Sequence, residues 1–474
     1  MPSRRSIQVG LAAFALALVA ASCAPVGPVA TPAVRSSTAA QSVGPAAQAS
    51  LSPAASGAIA PASSIVPGSI GRTSIALAAT YDVALSLDYG DRRLAATSTM
   101  TVTNTSGGPI DRIELEAIAA RLGHLALGPV TVDGRPVVPT VADQTITVPL
   151  GGVLPAGAVT RLQLSFRATL RSDLAGADWL FTRTNGIIDA YRWLPWVSLA
   201  RPFGRPNYGD PFYTASSPSV RVAITTDRPL VIAATGRQVS AVGLTQTFEA
   251  HDVRDFTITA SPDYTVSTAH VGSTTVRLYA RPGFPSSAVM GYATSALRRE
   301  GVLAGVYPYG EFSVAQSAGG DGMESPELIW LPREAAGSHL RWLTFHETAH
   351  QWFYGLVGSD QARQPFADEA AADMLARTAS GIWRVSRCPT ARLDRSIYAY
   401  TGRCYFEIVY VQGSGLLDEI RARMGSTAFW AAIRGYIAAH HDGLGGTRLL
   451  LEALEAGTPL NLRPLYAPRF PSLF

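Results

Sequence analysis

The sequence predicts an α+β chain in which an all-β part precedes a mostly helical one. Three features carry that reading. From Tyr81 to about Val276 apolar and polar residues alternate with period two, as in Tyr81, Val83, Leu85 and Leu87, in Leu162, Leu164 and Phe166, and in Val220, Val222 and Ile224. After Pro282 the spacing changes to that of amphipathic helices. One of those helices carries the pattern His346-Glu347-Thr348-Ala349-His350.

At the N-terminus, Arg4 and Arg5 precede an apolar run from Val9 to Ala21. This is the layout of an export signal over 1–23, too short and too early for a membrane span. Ala21-Ser22-Cys23 has the form of a lipoprotein processing site with Cys23 as the acylated residue, although Ala20 stands where leucine is usual. That implies an exported cell-envelope lipoprotein, held to the membrane by a lipid anchor on Cys23. The alternative is an ordinary signal-peptidase cut nearby and a secreted protein. Residues 24–70 are mostly Ala, Pro, Ser, Gly and Val, almost without charge or periodicity, and read as a disordered tether.

Residues 71–280 read as a β domain of sandwich or saddle type, with turn signals such as Asn104-Thr105-Ser106-Gly107 and Asp133-Gly134 between strands. Residues 281–474 read as the helical domain. Helices are expected near 286–304, 338–357, 366–380, 410–424 and 427–440, with strands at 311–316 and 328–331. A chain of 474 residues, 47% of them hydrophobic, is long enough for both parts to bury a core.

The formal charge of +4 comes from 39 basic residues, every one an arginine. Setting aside Arg4, Arg5 and Arg35 leaves 36 basic against 35 acidic residues and no basic run, so no nucleic-acid partner is indicated. Without lysine, P-loop phosphate binding and Schiff-base chemistry are excluded. No obligate protein partner is indicated. Beyond Cys23, the remaining cysteines are Cys388 and Cys404. In an oxidising compartment they are expected to form a disulfide, with two free buried thiols as the alternative.

The most specific chemistry lies in 346–369. Positions i and i+4 of a helix stack on one face, so His346 and His350 aim their imidazoles at one point, the arrangement that binds zinc. Glu347 can then reach a water on the metal and act as general base. Glu369, after eighteen intervening residues, is the natural third ligand, leaving the fourth position open for catalysis. Phe353 and Leu356 occupy the positions that glycine and a third histidine would take in the other common extension of this motif. Asp373, one turn beyond Glu369, could orient a zinc-bound histidine from behind, or could equally be a solvated helix residue.

These residues resemble the aminopeptidase N-like gluzincin family, which includes leukotriene A hydrolase. That family carries the two histidines, the base and a glutamate at the same spacing. It also has an upstream G-x-M-E-N segment, to which Gly322-Met323-Glu324-Ser325 corresponds, and a downstream Y-x-x-G helix start, to which Tyr410-Val411-Gln412-Gly413 corresponds. The resemblance implies a β-saddle domain followed by a thermolysin-like catalytic domain, one zinc ion per chain, and peptide substrates. It makes Tyr410 the donor to the oxyanion, with Tyr405 as substitute, and Glu324, beside Gly322 and Met323, the partner of a free α-amine. Ser325 departs from the usual Asn. The stretch around Tyr191-Arg192-Trp193 also lacks the second amine-binding side chain that relatives draw from the β domain. The expected activity is a zinc metallopeptidase acting as an aminopeptidase. The alternatives are an endo- or oligopeptidase with the same site, and a non-catalytic zinc-containing surface lipoprotein.

Overall fold

The computed structural model describes residues 64–204 and 209–474. The export signal, Cys23 and all but the end of the tether lie outside the described residues. What is described forms one compact unit.

Two strands of twelve residues, Leu77–Asp88 and Arg93–Asn104, pair antiparallel in the middle of an eight-stranded sheet. Their alternation puts Leu77, Ala79, Tyr81, Val83, Leu85 and Leu87 on the buried face. Two four-stranded sheets close over that face. One is built around Ile110–Glu116 and Thr145–Leu154, the other around Ile187–Ala190 and Ile258–Ser261.

The hairpin Thr265–Val271 and Thr274–Ala280 continues the period-two pattern but pairs forward along the chain. Thr274–Ala280 runs parallel to Glu311–Ser317 in a five-stranded sheet, and its Val276, Leu278 and Ala280 sit in the core of the helical part. That sheet ends at the short strand Met323–Ser325, bonded on one side only, to Leu328–Pro332. Against it pack the helices Ser286–Ala304 and Gly337–Ala349, and on these in turn Glu369–Ser380, Gly413–Met424 and Ser426–His440. Glu369–Ser380 stops where Gly381 takes φ 73° and its N–H bonds the Arg377 carbonyl at 2.8 Å. Among the described residues no helix is long and apolar enough to cross a membrane.

Two helices differ from expectation. The one expected over 338–357 ends at Ala349. Beyond it the N–H groups of Gly355, Leu356 and Val357 bond carbonyls five residues back, at 2.8, 3.0 and 3.2 Å, and Tyr354 sits at φ 118°. The apolar residues that suggested continued helix, Trp352, Phe353, Leu356 and Val357, are buried in this widened turn instead. The helix expected from 410 starts earlier, as the α-helical turn Gly402–Phe406, widens to a π-type segment over Glu407–Gln412 and returns to α-helix at Gly413. The helix Thr447–Ala456 was not expected.

Candidate metal centre

His346 and His350, one turn apart on Gly337–Ala349 and at its C-cap, bring their Nε2 atoms to 3.2 Å from each other. Glu369 opens the next helix and lays its Oε2 3.3 Å from His346 Nε2 and 3.4 Å from His350 Nε2. These three atoms form a nearly equilateral triangle. Ligands on a tetrahedral zinc with bonds of about 2.0–2.1 Å stand about 3.3 Å apart, so the triangle has the dimensions of three corners of such a site. All three side chains are buried, and Glu369 Oε2 has no hydrogen-bond partner. An orphaned buried carboxylate oxygen aimed at two imidazole nitrogens is costly unless a cation lies between them. Burial holds His346 below its usual pKa, which favours the neutral imidazole that a metal requires. Burial would raise Glu369, but His350 and His346 more than reverse it and keep the carboxylate ionised. The residues present therefore fit a divalent metal.

The groups behind the ligands set their orientation. His350 Nδ1 faces the Phe353 carbonyl at 2.9 Å and Asp368 Oδ1 at 3.0 Å. Both are acceptors, so Nδ1 keeps its proton and Nε2 is the nitrogen left for a metal. Burial would lower the His350 pKa, but Asp368, Glu324 and Glu369 more than reverse it, so a metal bound there would take the place of the Nε2 proton. Asp368 was not singled out in the sequence. Asp373 stands 3.8 Å from His346 Nδ1, beyond hydrogen-bond reach. Its oxygens accept from Trp342 Nε1 at 2.9 Å and Ser414 Oγ at 3.1 Å and pair with Arg377 at 2.6 Å.

Around the triangle opens a cleft of about 530 Å³ whose walls include His346, Glu347, His350, Glu369 and Tyr410. The Tyr410 ring stacks on His346, with centroids 5.3 Å apart, and its hydroxyl reaches the Glu369 carboxylate. Burial raises the phenol well above its ordinary value, keeping its proton available for donation. Tyr405 is fully buried behind it and does not line the cleft. Gly322, Met323 and Glu324 form one edge of the cleft. A Cβ at Gly322 would collide with the Glu347 carboxylate. Glu324 Oε1 accepts a hydrogen bond from Gln361 Nε2 at 3.3 Å, and burial lifts its pKa to about 7. Ser325 turns away, donating to Asp255 inside the protein. The β part supplies the opposite wall through Trp179, Phe203, Asp210 and Phe212. Asp210 carried no sequence signal. Cys388 and Cys404 are disulfide-bonded with Cα atoms 5.8 Å apart, and Cys404 stands just before Phe406, which also lines the cleft.

No family model and no curated protein matches the sequence. Solved structures do match the fold. The M1 zinc metallopeptidase of Deinococcus radiodurans aligns with a TM-score of 0.64 at 20% identity, over 86% of this chain and 96% of that one. A glutamate-to-alanine mutant of the same enzyme bound to a Tyr-Ser-Ala substrate aligns with a TM-score of 0.65, again at 20% identity, over the same shares. A two-domain M1 zinc metallopeptidase mutant bound to L-arginine aligns with a TM-score of 0.63 at 21% identity, over 87% of this chain and 95% of that one. The chain has the fold of these proteins, a β-rich part followed by a helical part, as the period change in the sequence predicts.

Proposed function

We propose that the chain is a zinc-dependent metallopeptidase of the M1 type that removes N-terminal residues from peptides. One observation carries the reading: the His346, His350 and Glu369 donors stand at tetrahedral spacing in a cleft that also holds Glu347, Tyr410 and Glu324. A zinc ion held there would supply a Lewis acid for the scissile carbonyl and acidify water at its open position. Glu347 takes a proton from the attacking water and passes it to the leaving amine. Tyr410 donates its hydroxyl proton to the oxygen on which negative charge develops. The unpaired side of Met323–Ser325 offers backbone groups to an extended substrate, as a sheet edge does to an added strand. Glu324 meets the substrate's ammonium, which sets the first peptide bond over the metal and makes the cut N-terminal. Asp210, contributed by the β part, adds a carboxyl to the same cleft, one that burial and the neighbouring Glu324, Glu369 and Asp368 hold well above its ordinary pKa.

The test is turnover of a panel of aminoacyl reporter substrates before chelation, after it, and after zinc is restored. Activity should vanish and return; activity indifferent to chelator sinks the peptidase reading. Glu324→Ala, with zinc retained, should lose turnover of free-amine substrates, and unchanged rates on them would rule out the N-terminal assignment. Equal cleavage of N-acetylated peptides would instead indicate endopeptidase action. We further propose an envelope lipoprotein anchored through Cys23, to be tested by whether Cys23→Ala abolishes fatty-acid labelling and membrane retention.

A further inference from the structure

Gln361 lies on the connection between the two ligand helices, 2% exposed, and its side-chain hydrogen bonds go to residues other than the expected ligands and base. Its backbone N–H donates to the Phe212 carbonyl at 3.0 Å, which fixes the start of the side chain. The amide spans two charged regions. Oε1 accepts from Arg192 Nη2 at 3.2 Å, while Nε2 donates to Asp368 Oδ2 at 2.7 Å and to Glu324 Oε1 at 3.3 Å. That orientation is fixed by chemistry, because a guanidinium can only donate, so the amide oxygen must face Arg192 and the amide nitrogen the two carboxyl groups. Asp368 uses its other oxygen on His350 Nδ1 at 3.0 Å. Arg192 is itself held in the interior, 3.8 Å from the Phe212 ring centroid, 4.9 Å from that of Tyr354, and 3.8 Å from Asp255 Oδ2. A continuous chain therefore runs from Arg192 through Gln361 to Asp368 and His350, with a branch to Glu324.

We propose that Gln361 is a positioning residue that couples the metal end of the cleft to its amine-binding end, with Arg192 as the buried counter-charge. The proposal rests on the peptidase reading for the role of Glu324, but its metal arm stands on geometry alone. Asp368 can hold His350 in the ligand tautomer only while its own orientation is fixed, and Gln361 supplies the bond that fixes it. Glu324 and His350 are the members of the chain that line the cleft, and the same amide that steadies Asp368 behind His350 sets where the Glu324 carboxylate points. Cutting the chain at the amide should thus weaken two functions at once. A side chain that only fills space would affect neither selectively.

Gln361→Met keeps the volume and removes both hydrogen-bonding ends. Zinc affinity, read by competition with a chromogenic chelator, is expected to fall about tenfold or more, the usual effect of losing an outer partner of a ligand. The ratio of kcat/KM on free-amine over N-acetylated substrates is expected to fall as well, chiefly through KM. Wild-type zinc affinity together with a wild-type ratio in the folded variant would overturn the proposal. Should Gln361→Met fail to fold, Gln361→Asn withdraws the amide by about 1.5 Å and should show the same two losses, with their absence counting as refutation. Turnover of the wild-type protein separates the two readings. If it is absent the peptidase assignment falls, while chelator competition still decides whether Gln361 supports the metal.

Discussion

Glu347 owes its place to a neighbour without a side chain. The Glu347 carboxylate fills the space that a Cβ at Gly322 would need. Gly322→Ala is therefore expected to displace the base while leaving His346, His350 and Glu369 in place. The measurement is kcat with zinc content alongside: kcat should fall by about 10-fold or more with zinc unchanged, and an unaltered kcat would show that the carboxylate does not need its present position. Glu347→Gln sets the scale, because loss of a general base typically costs about 10²–10⁴-fold. That His346 and His350 converge was legible in the sequence, because helical geometry turns an i, i+4 spacing into a shared direction whatever surrounds it. Asp368 and Gln361 were not, since their roles arise only after the chain brings Arg192, Glu324 and His350 to one point. Asp373 was legible as a residue near a ligand, but not the competition from Trp342, Ser414 and Arg377 that keeps its oxygens occupied.

The element that carries Tyr410 departs from α-helical geometry at the point where the tyrosine must face His346. The wide segment Glu407–Gln412 turns that ring onto the imidazole, and Gly413 then lets the following helix approach Glu369–Ser380 closely. A Cβ at Gly413 would lie 2.6 Å from the Ala370 Cβ and 3.3 Å from the Phe366 ring. The glycine of Tyr410-x-x-Gly413 is thus a packing requirement, and in the proposed mechanism one with a catalytic consequence. Gly413→Ala should push the tyrosine-bearing segment away from the glutamate helix, lowering kcat more than it raises KM. A variant with wild-type kcat and a well-packed alanine would refute that link. Periodicity could not reveal this bend, because its residues Val409, Tyr410 and Val411 are all buried, as they would be in a straight core helix. The edge strand Met323–Ser325 is too short to show any alternation, and only its motif marked it.

Across the molecule, the hairpin Thr265–Ala280 belongs with the β part by sequence pattern and with the sheet of the helical part by pairing, so the two parts interlock. Asp189 sits at that junction. Its strand, Ile187–Ala190, lies in the β part, yet its Oδ2 accepts the N–H of Ala318 at 2.7 Å, at the end of Glu311–Ser317. Oδ1 accepts from Thr259 Oγ1 at 2.7 Å. Burial outweighs both bonds and lifts the carboxyl to a pKa of about 7. A raised carboxyl in the folded state means that the native protein holds a proton which the unfolded chain has already lost. The stability Asp189 contributes is therefore fully present below about pH 4 and declines as pH rises through 7, with a slope of at most about 1.4 kcal/mol per pH unit. Asp189→Asn removes this titration while keeping an acceptor for Ala318. Between pH 5 and 7.5, Tm should fall more steeply in the wild type than in Asp189→Asn, so that the variant gains relative stability towards neutral pH. Parallel Tm profiles would mean that Asp189 is ionised in the folded state throughout, and that the junction accommodates a full buried charge.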